Sequence, residues 1–215
     1  AVGFETTAPA TAAAVLEARA AGLENFSILC DHKLVVPVML ALLAAGDVGV
    51  DGFLCPGHVS VVIGTEAYRP IAGRHRRPCV VAGFEPAGML EGIARLAEQV
   101  AAGRAEVDNA YGVAVQPAGN PAARAVMDRV FAPAPAVWRA MGAIDASGLA
   151  LAPELATFDA AVRFGVDATA DHEPPGCRCG DVIQGKAQPT DCPLFSTRCT
   201  RSEEHTSELQ SLLII

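Results

Sequence analysis

The 215-residue chain has little positive charge, and this shortage argues against several classes of partner. Its 16 Lys and Arg residues stand against 24 Asp and Glu residues, so the net charge is −8. Non-specific nucleic-acid binding needs a basic surface that neutralises phosphates, and the most basic run, Arg74-His75-Arg76-Arg77, is too short to provide one. The chain also lacks an apolar run of about 18 residues, which a membrane-spanning helix needs. We therefore expect neither a nucleic acid nor a membrane as partner.

Several sequence signatures are missing as well. There is no Gly-rich phosphate loop and no G-x-S-x-G nucleophile motif. The first residues, AVGFETTAPA, contain neither an initiating Met nor the basic and apolar regions of a signal peptide. The seven cysteines are odd in number and partly clustered, unlike the disulfide framework of a small secreted protein. These features predict a protein of the reducing cytoplasm.

Hydrophobic residues make up 51% of the chain, and they alternate between strand-like and helix-like segments. Helices are predicted from Thr6 or Thr7 to Gly22 and over residues 34–45, 86–102, 121–131 and 153–164. Strands are predicted over residues 1–4, 26–30, 50–54 and 78–82, and a rigid Pro-rich connector over residues 132–135. This alternation is typical of an α/β fold, in which crossover helices join the strands of parallel sheets.

Each predicted strand runs into a polar cluster, and we expect the four clusters to meet at one edge of the sheet, where α/β proteins bind ligands. The candidate residues in these clusters are Glu5, Thr6, Thr7, Asp31, His32, Lys33, His58 and Glu85. Carboxylates, imidazoles and amines can bind metals or move protons. Structural roles are also open, because Asp31 can cap a helix, His58 can be a loop histidine, and glutamates can complement helix N-termini.

Four cysteines cluster near the C-terminal end of the chain. Cys177, Cys179, Cys192 and Cys199 follow the pattern C-x-C-x12-C-x6-C in a segment rich in Gly and Pro. Thiolates are soft ligands that suit zinc and iron–sulfur clusters, and the turns allow dispersed sulfur atoms to converge. Zinc ribbons favour paired C-x2-C knuckles, which are absent here. The spacing therefore favours an iron–sulfur cluster over zinc, and four unmetallated cysteines are the structural alternative.

Six phrases resemble one family and occur in that family's order. They are GFETTAPA, CDHKLVVPVM, DGFLCPGHVSVVIG, VAGFEPAGMLEGIARLAEQV, NAYGVAVQPAGNPAA and CRCGDVIQGKAQPTDCPLFSTRCT. Together they closely resemble the HypD family of hydrogenase maturation proteins over residues 1–200. The resemblance implies two sheet domains around a cleft and a small Cys-rich module that carries a 4Fe–4S cluster. We accordingly expect an α/β sheet domain at residues 1–120 and an incomplete cluster module at 173–200. Residues 121–172 are expected to be a helical or α/β continuation that packs on a second, mostly missing sheet domain.

The resemblance also implies a function. With a small HypC-like chaperone, and with cyanide supplied by a HypE-like protein, such a protein forms a scaffold on which iron receives carbon monoxide and cyanide. The product is the Fe(CN)2CO moiety of nickel–iron hydrogenase, and the cluster relays electrons. Seven candidates (Glu5, Thr6, Thr7, His32, Lys33, His58 and Glu85) match motifs that line the cleft. The four cysteines belong to the cluster region, and Cys192 and Cys199 are the best-supported ligands.

The sequence departs from the family pattern in several places. The N-terminal Cys-Gly motif that binds the nascent iron, the C-x-x-C pair after it and the cysteines beyond Cys199 are all absent, so we interpret the chain as an inactive fragment that can lack a fourth ligand. Val113 stands where the family pattern has an arginine. Residues 201–211, RSEEHTSELQS, read as the translation of a common sequencing-library adapter, and we therefore interpret residues 201–215 as an artefactual tail.

Two interpretations from other classes stay open on the residues alone. One is a zinc-binding α/β hydrolase that uses Asp31, His32 and His58. The other is a structural zinc module attached to a binding domain. Both would leave the chain without an iron–sulfur cluster, so metal content distinguishes them from the scaffold.

Overall fold

The computed structural model describes residues 1–46, 48–138, 140–166 and 174–199, and the backbone of residues 213–214. The helices are α1 Ala8–Ala20, α2 Val35–Ala44, α3 Gly57–Ile63, α4 Arg69–His75, α5 Pro86–Ala101, α6 Pro121–Asp128, α7 Ala160–Phe164 and α8 Cys179–Ile183. The strands are β1 Val2–Gly3, β2 Asp31–His32, β3 Phe53–Pro56, β4 Cys79–Ala82, β5 Val107–Asn109, β6 Phe131–Trp138, β7 Gly142–Leu151 and β8 Leu213–Ile214.

The chain folds into two compact units. The first comprises residues 1–38 and 120–172, and the second comprises residues 39–119 and 173–215. The three-part domain organisation expected from the resemblance, with divisions after residues 120 and 172, stays a prediction.

The first unit is built around helix α1. Its buried residues Ala8, Ala12 and Val15 share one helix face and pack against Val130 and Phe131 at the start of β6. Strands β1 and β2 form a short parallel sheet, and β6 and β7 form an antiparallel hairpin. This core contains residues from both segments of the unit, so residues 1–38 pack with the segment that follows residue 120.

The second unit contains a parallel sheet in the order β5-β4-β3, with β8 antiparallel at the outer edge of β3. Strands β3 and β4 are buried along their whole length, as expected when helices cover both faces of a sheet. Leu54, Val80 and Ala82 pack against Leu96 of α5. Gly92 allows this close approach, since a Cβ atom there would lie 2.7 Å from a methyl carbon of Leu54.

The Cys-rich segment packs on the second unit through backbone contacts. The N–H of Gly49 donates a hydrogen bond to the carbonyl oxygen of Gln184 at 3.0 Å, and the neighbouring Ile183 is buried. A Cβ atom on Gly49 would lie 2.7 Å from the Gly185 carbonyl oxygen. Gly185 itself has a φ of +69°, a conformation that favours glycine. Two glycines are therefore required where this segment meets the rest of its unit.

The predicted α/β fold with parallel sheets and helices is confirmed. The helices predicted over residues 34–45 and 86–102 are α2 and α5 to within about one residue at each end. The cap predicted at Asn120 is also present, because its side-chain oxygen accepts the N–H groups of Ala122 and Ala123 at 3.0 and 3.1 Å. Helix α6 ends at Asp128, three residues before the predicted end at residue 131.

Several predicted boundaries are wrong. The strand predicted over residues 26–30 contains only an isolated bridge from Ile28 to Asp159, and the paired strand β2 begins at Asp31. The strand predicted over residues 50–54 is β3, which begins at Phe53 and continues to Pro56. The helix predicted over residues 153–164 is a 3-10 turn followed by α7. Asp159 separates the two, because its carboxylate accepts the N–H of Ala161 at 2.8 Å and caps a new helix.

Two larger expectations are also wrong. Residues 132–135 are not a connector but part of β6, whose only described partner strand is β7. Proline is tolerated there because a two-stranded hairpin consists of edge strands, and the pairing register shifts between Ala134 and Ala136. The four strand ends do not meet at one sheet edge either, since β1–β2 and β3–β4–β5 form separate sheets.

Candidate functional sites

Glu5 is a buried carboxyl group just after β1. The residue is 3% exposed, and its Oε1 atom accepts the N–H of Val35, at the start of α2, at 3.0 Å. The Oε2 atom is also buried, and within the described residues it has no hydrogen-bond partner. Desolvation raises the pKa of Glu5 from the usual 4.5 to about 7, against the opposing effect of backbone hydrogen bonds. Glu5 can therefore hold or release a proton near neutral pH.

His32 lies at the end of β2 and uses both of its ring nitrogens inside the first unit. Nδ1 is 3.3 Å from the carbonyl oxygen of Gly3, and Nε2 is 3.0 Å from Oγ1 of Thr11. A carbonyl can only accept, so Nδ1 carries the proton. In the neutral ring Nε2 accepts from the Thr11 hydroxyl, which also lies 3.3 Å from the Thr7 carbonyl oxygen. Burial lowers the pKa of His32, which favours this neutral form. The geometry indicates that His32 joins β1 to α1.

Lys33 is a buried cation held over an aromatic ring. Its ammonium nitrogen lies 5.4 Å from the ring centroid of Trp138 and 3.9 Å from a carboxylate oxygen of Asp31. Such a position over an indole stabilises a cation. The Trp138 Nε1–H donates to Ser147 Oγ at 2.8 Å, and that hydroxyl donates to the Ile144 carbonyl oxygen at 2.7 Å. The hairpin β6–β7 thus orients the ring that supports Lys33.

Thr6 and Thr7 lie at the surface between β1 and α1. Both are exposed. The Thr7 hydroxyl is 3.3 Å from the Phe4 carbonyl oxygen, and the residue occupies the N-cap position of α1 without a side-chain cap bond. The predicted start of this helix is confirmed, and its first turn contains Pro9 as expected.

His58 lies where β3 passes into α3, in the second unit. Its ring is exposed and meets the Phe84 ring edge-on, with the centroids 4.8 Å apart. The centroid of the Tyr111 ring lies 6.4 Å from that of His58. Phe84 follows β4 and Tyr111 follows β5, so the three rings come from the carboxyl ends of three neighbouring parallel strands. This is the sheet edge at which α/β proteins bind ligands.

Glu85 occupies the N-cap position of α5 without a side-chain cap bond, and it is exposed. Its Oε2 atom lies beside the backbone of Gly83, where an added Cβ atom would come within 2.3 Å of it. The carboxylate therefore sits at the same sheet edge as His58. Of the predicted site residues, the first unit holds Glu5, Thr6, Thr7, His32 and Lys33, and the second holds His58, Glu85 and the four clustered cysteines.

The four clustered cysteines do not form a metal centre in this arrangement. Within the described ranges there is no group of three or more His, Cys, Asp or Glu side chains that could hold a metal ion. Cys192 nevertheless has the environment of a ligand. Hydrogen bonds from the backbone N–H groups of Arg178 and Leu194 lower the pKa of its thiol. The donor chemistry fits an iron–sulfur cluster, and the assignment of the four cysteines as its ligands stays a prediction.

The same geometry does not favour a zinc-binding hydrolase. Both ring nitrogens of His32 are engaged by Gly3 and Thr11, so neither is available to a metal while those bonds persist. Among the residues that the structure describes, no third ligand joins His32 and Asp31. His58 belongs to the other unit.

Comparison with known proteins supplies the family. A family model described as HypD, hydrogenase formation hypA family, matches residues 1–209. The chain belongs to the HypD family. It is 42% identical over 199 residues to the hydrogenase maturation factor HypD of Escherichia coli K12, which covers 92% of this chain and 53% of that protein. The HypD proteins of Azotobacter vinelandii and Rhizobium leguminosarum bv. viciae are 41% and 43% identical over 206 and 207 residues, each covering 93% of this chain and 54% of the relative.

The chain thus spans about half the length of the curated HypD relatives it matches. The HypD family model extends to residue 209 and so includes most of the segment interpreted as adapter-derived. That segment lies outside the described residues, and its origin stays a prediction. No helix among the described residues is long and apolar enough to cross a membrane.

Three residues of the candidate sites were missed by sequence reasoning. Tyr111 follows a strand of only three residues, too short for a periodic signal. Trp138, which contacts Lys33, and Ser147, which bonds Trp138, both lie more than one hundred positions from Lys33 in the sequence, so local patterns could not link them to it. One hint was available, since Trp138 is the only tryptophan in the chain.

Proposed function

We propose that this chain is part of a hydrogenase maturation factor and acts as a scaffold for metallocentre assembly in the cytoplasm. The observation that carries the proposal is the 41–43% identity to three proteins named hydrogenase maturation factor HypD, over more than 90% of the chain. Similarity at this level over this length reflects shared fold and residue placement. The chemistry is assembly of a metal centre, with no hydrolase or kinase motif required.

The partners follow from the family resemblance. The scaffold works with a HypC-like chaperone and receives cyanide from a HypE-like protein, and its cargo is the iron that becomes Fe(CN)2CO. Two exposed groups support a role in contacting such partners, namely His58 and Glu85 at the sheet edge of the second unit. Lys33 contributes a fixed positive charge beside Trp138 in the first unit. Within the first unit, His32 has an indirect role, since its ring nitrogens contact Gly3 of β1 and Thr11 of α1.

We further propose that thiolates among Cys177, Cys179, Cys192 and Cys199 hold a 4Fe–4S cluster. Bound there, the cluster would supply single electrons. The lowered pKa of Cys192 supports this role, because thiolates are the form that binds iron. The proposal requires the sulfur atoms to move closer together when the cluster binds, since they do not form a group of three in the arrangement described here.

A chimera tests the scaffold function. Residues 1–200 would replace the matching segment of Escherichia coli HypD in a strain that lacks its own HypD, and hydrogen-dependent dye reduction would report nickel–iron hydrogenase activity. We expect activity from this chimera and its loss in a matched His58→Ala chimera. A chimera that accumulates to the normal level yet yields no active hydrogenase would contradict the proposal.

Anaerobic reconstitution tests the cluster separately. The same chimera would be incubated with iron and sulfide and examined for broad visible absorption and for bound iron. We expect both signals, with a clear reduction in Cys192→Ser and no change in Cys55→Ser, whose thiol is buried in β3. A colourless chimera that retains zinc would overturn the cluster assignment.

A further inference from the structure

The imidazole of His58 is fixed by aromatic rings rather than by hydrogen bonds. Phe84 meets it edge-on at 4.8 Å and Tyr111 lies at 6.4 Å with a tilt of 46°. Within the part of the chain that the structure describes, neither ring nitrogen of His58 has a hydrogen-bond partner. This is the reverse of His32, which uses both nitrogens internally. The rings therefore orient His58 while leaving both of its nitrogens available.

Tyr111 is itself held by the loop that follows β5. The Asn109 side chain accepts the N–H of Tyr111 at 3.0 Å and donates to the carbonyl oxygen of Val115 at 3.0 Å. Through these two bonds, the Asn109 side chain connects the start of the loop at Tyr111 to its end at Val115. Val115 is buried, which anchors the far end of the loop. The position of the Tyr111 ring is thus determined by the sheet.

Two glycines allow the Tyr111 ring to reach His58. A Cβ atom on Gly57 would lie 2.7 Å from a ring carbon of Tyr111 and 2.5 Å from the carbonyl oxygen of Ala82. A Cβ atom on Gly83 would lie 3.1 Å from another carbon of the same ring. The ring therefore rests on the backbone at the ends of β3 and β4. Side chains at either position would push it away from the imidazole.

We infer that Tyr111 is a positioning residue for His58, and that it presents the imidazole to a hydrogen-bonding group of a partner or cargo. This inference rests on the proposed function, in which His58 belongs to the working surface of the scaffold. An exposed histidine otherwise samples several rotamers, and binding would have to select one of them. A ring packed beside the imidazole restricts it to one rotamer in the free protein, so less conformational entropy is lost when a partner binds.

Nuclear magnetic resonance of the isotopically labelled 215-residue chain tests the inference without any activity measurement. We expect nuclear Overhauser contacts between the ring protons of His58 and Tyr111. Tyr111→Phe keeps the ring and should leave the His58 imidazole resonances nearly unchanged. Tyr111→Met removes the ring and should move those resonances toward the values of a freely exposed histidine, while the amide resonances of β4 stay in place.

The outcomes separate clearly. Identical His58 resonances in the wild type and Tyr111→Met would overturn the inference, and so would the absence of ring contacts in the wild type if Tyr111→Met does not fold. In the chimera described above, Tyr111→Met should lower hydrogenase activity several-fold and Tyr111→Phe should retain it. If the unsubstituted chimera is inactive but the resonances behave as expected, the positioning role stands and the proposed function fails.

Discussion

Replacing Glu5 with Gln should remove a pH dependence from the stability of the first unit. Glu5 is 3% exposed, and among the described residues only its Oε1 atom has a hydrogen-bond partner, the N–H of Val35. Gln keeps an oxygen for that N–H and has almost the same volume, but it cannot ionise. The substitution therefore isolates the cost of placing a charge at this buried position.

The sign and size follow from the pKa of Glu5, which rises from 4.5 to about 7 on folding because the carboxyl group is desolvated. Between these values the folded chain keeps a proton that the unfolded chain releases. The free energy of unfolding therefore falls as the pH rises through this window, and it levels off above the folded-state pKa. A difference of about 2.5 pH units corresponds to roughly 3 kcal/mol.

The assay is urea unfolding followed by the fluorescence of Trp138, the only tryptophan, which lies in the same unit. Relative to Glu5→Gln, the wild type should lose about 2.5 kcal/mol between about pH 5 and about pH 8. Titration of His32 occurs in both proteins and cancels in the difference. The exposed Glu17→Gln is the matched control and should follow the wild type. Equal differences between the wild type and Glu5→Gln at both pH values would refute the reasoning.

Three further substitutions probe other parts of the fold. Ser147→Ala should cost about 1–3 kcal/mol in urea unfolding, because the buried Trp138 N–H loses its acceptor; a loss that persists undiminished in a Trp138→Phe background would show that another contact is responsible. Asn120→Ala should cost about 1 kcal/mol and Asn120→Asp much less, since Asp retains the capping oxygen; equal losses would contradict the cap. Val113→Arg should change stability by less than about 0.5 kcal/mol in thermal melts, because Val113 is 91% exposed, and a larger change would reveal a structural role for this position.

Local signals in the sequence were sufficient for helices α1, α2, α5 and α6. Helix α5 has a long apolar stripe, and α6 has Asn120 followed by Pro121 at its start, so each was predicted from neighbouring residues alone. The ends of the strands were predicted less accurately than those of the helices. Strands β3 and β4 are buried on both faces, and a continuous apolar run does not show where pairing begins.

The hairpin β6–β7 shows how tertiary pairing can override a local rule. Pro133 and Pro135 predict a connector, because proline cannot donate to a sheet ladder. In the fold, Pro133 lies opposite Leu149 in a strand whose only described partner is β7, and the register shifts one step later. A missing donor is tolerated at such an edge. This hairpin carries Trp138 and Ser147, so the same error hid the residues that support Lys33.

The candidate sites were predicted in residue type more accurately than in arrangement. In the sequence, His32 and His58 are similar groups, each just after a predicted strand. The fold gives them opposite roles, since His32 is buried with both nitrogens bonded and His58 is exposed with both available in the described residues. That difference depends on Thr11 in one unit and Tyr111 in the other. Neither contact follows from the local sequence around the histidines.

The contact between Gly49 and Gly185 limits how the Cys-rich segment can be transplanted. Its backbone meets the backbone of the second unit with no room for a side chain on either residue. A host protein that receives residues 173–200 therefore needs a glycine at the position equivalent to Gly49, even if the rest of its contact surface matches that of the second unit. In a chimera with a relative, placing one junction before Gly49 and the other after Gly185 keeps both halves of this contact from the same parent.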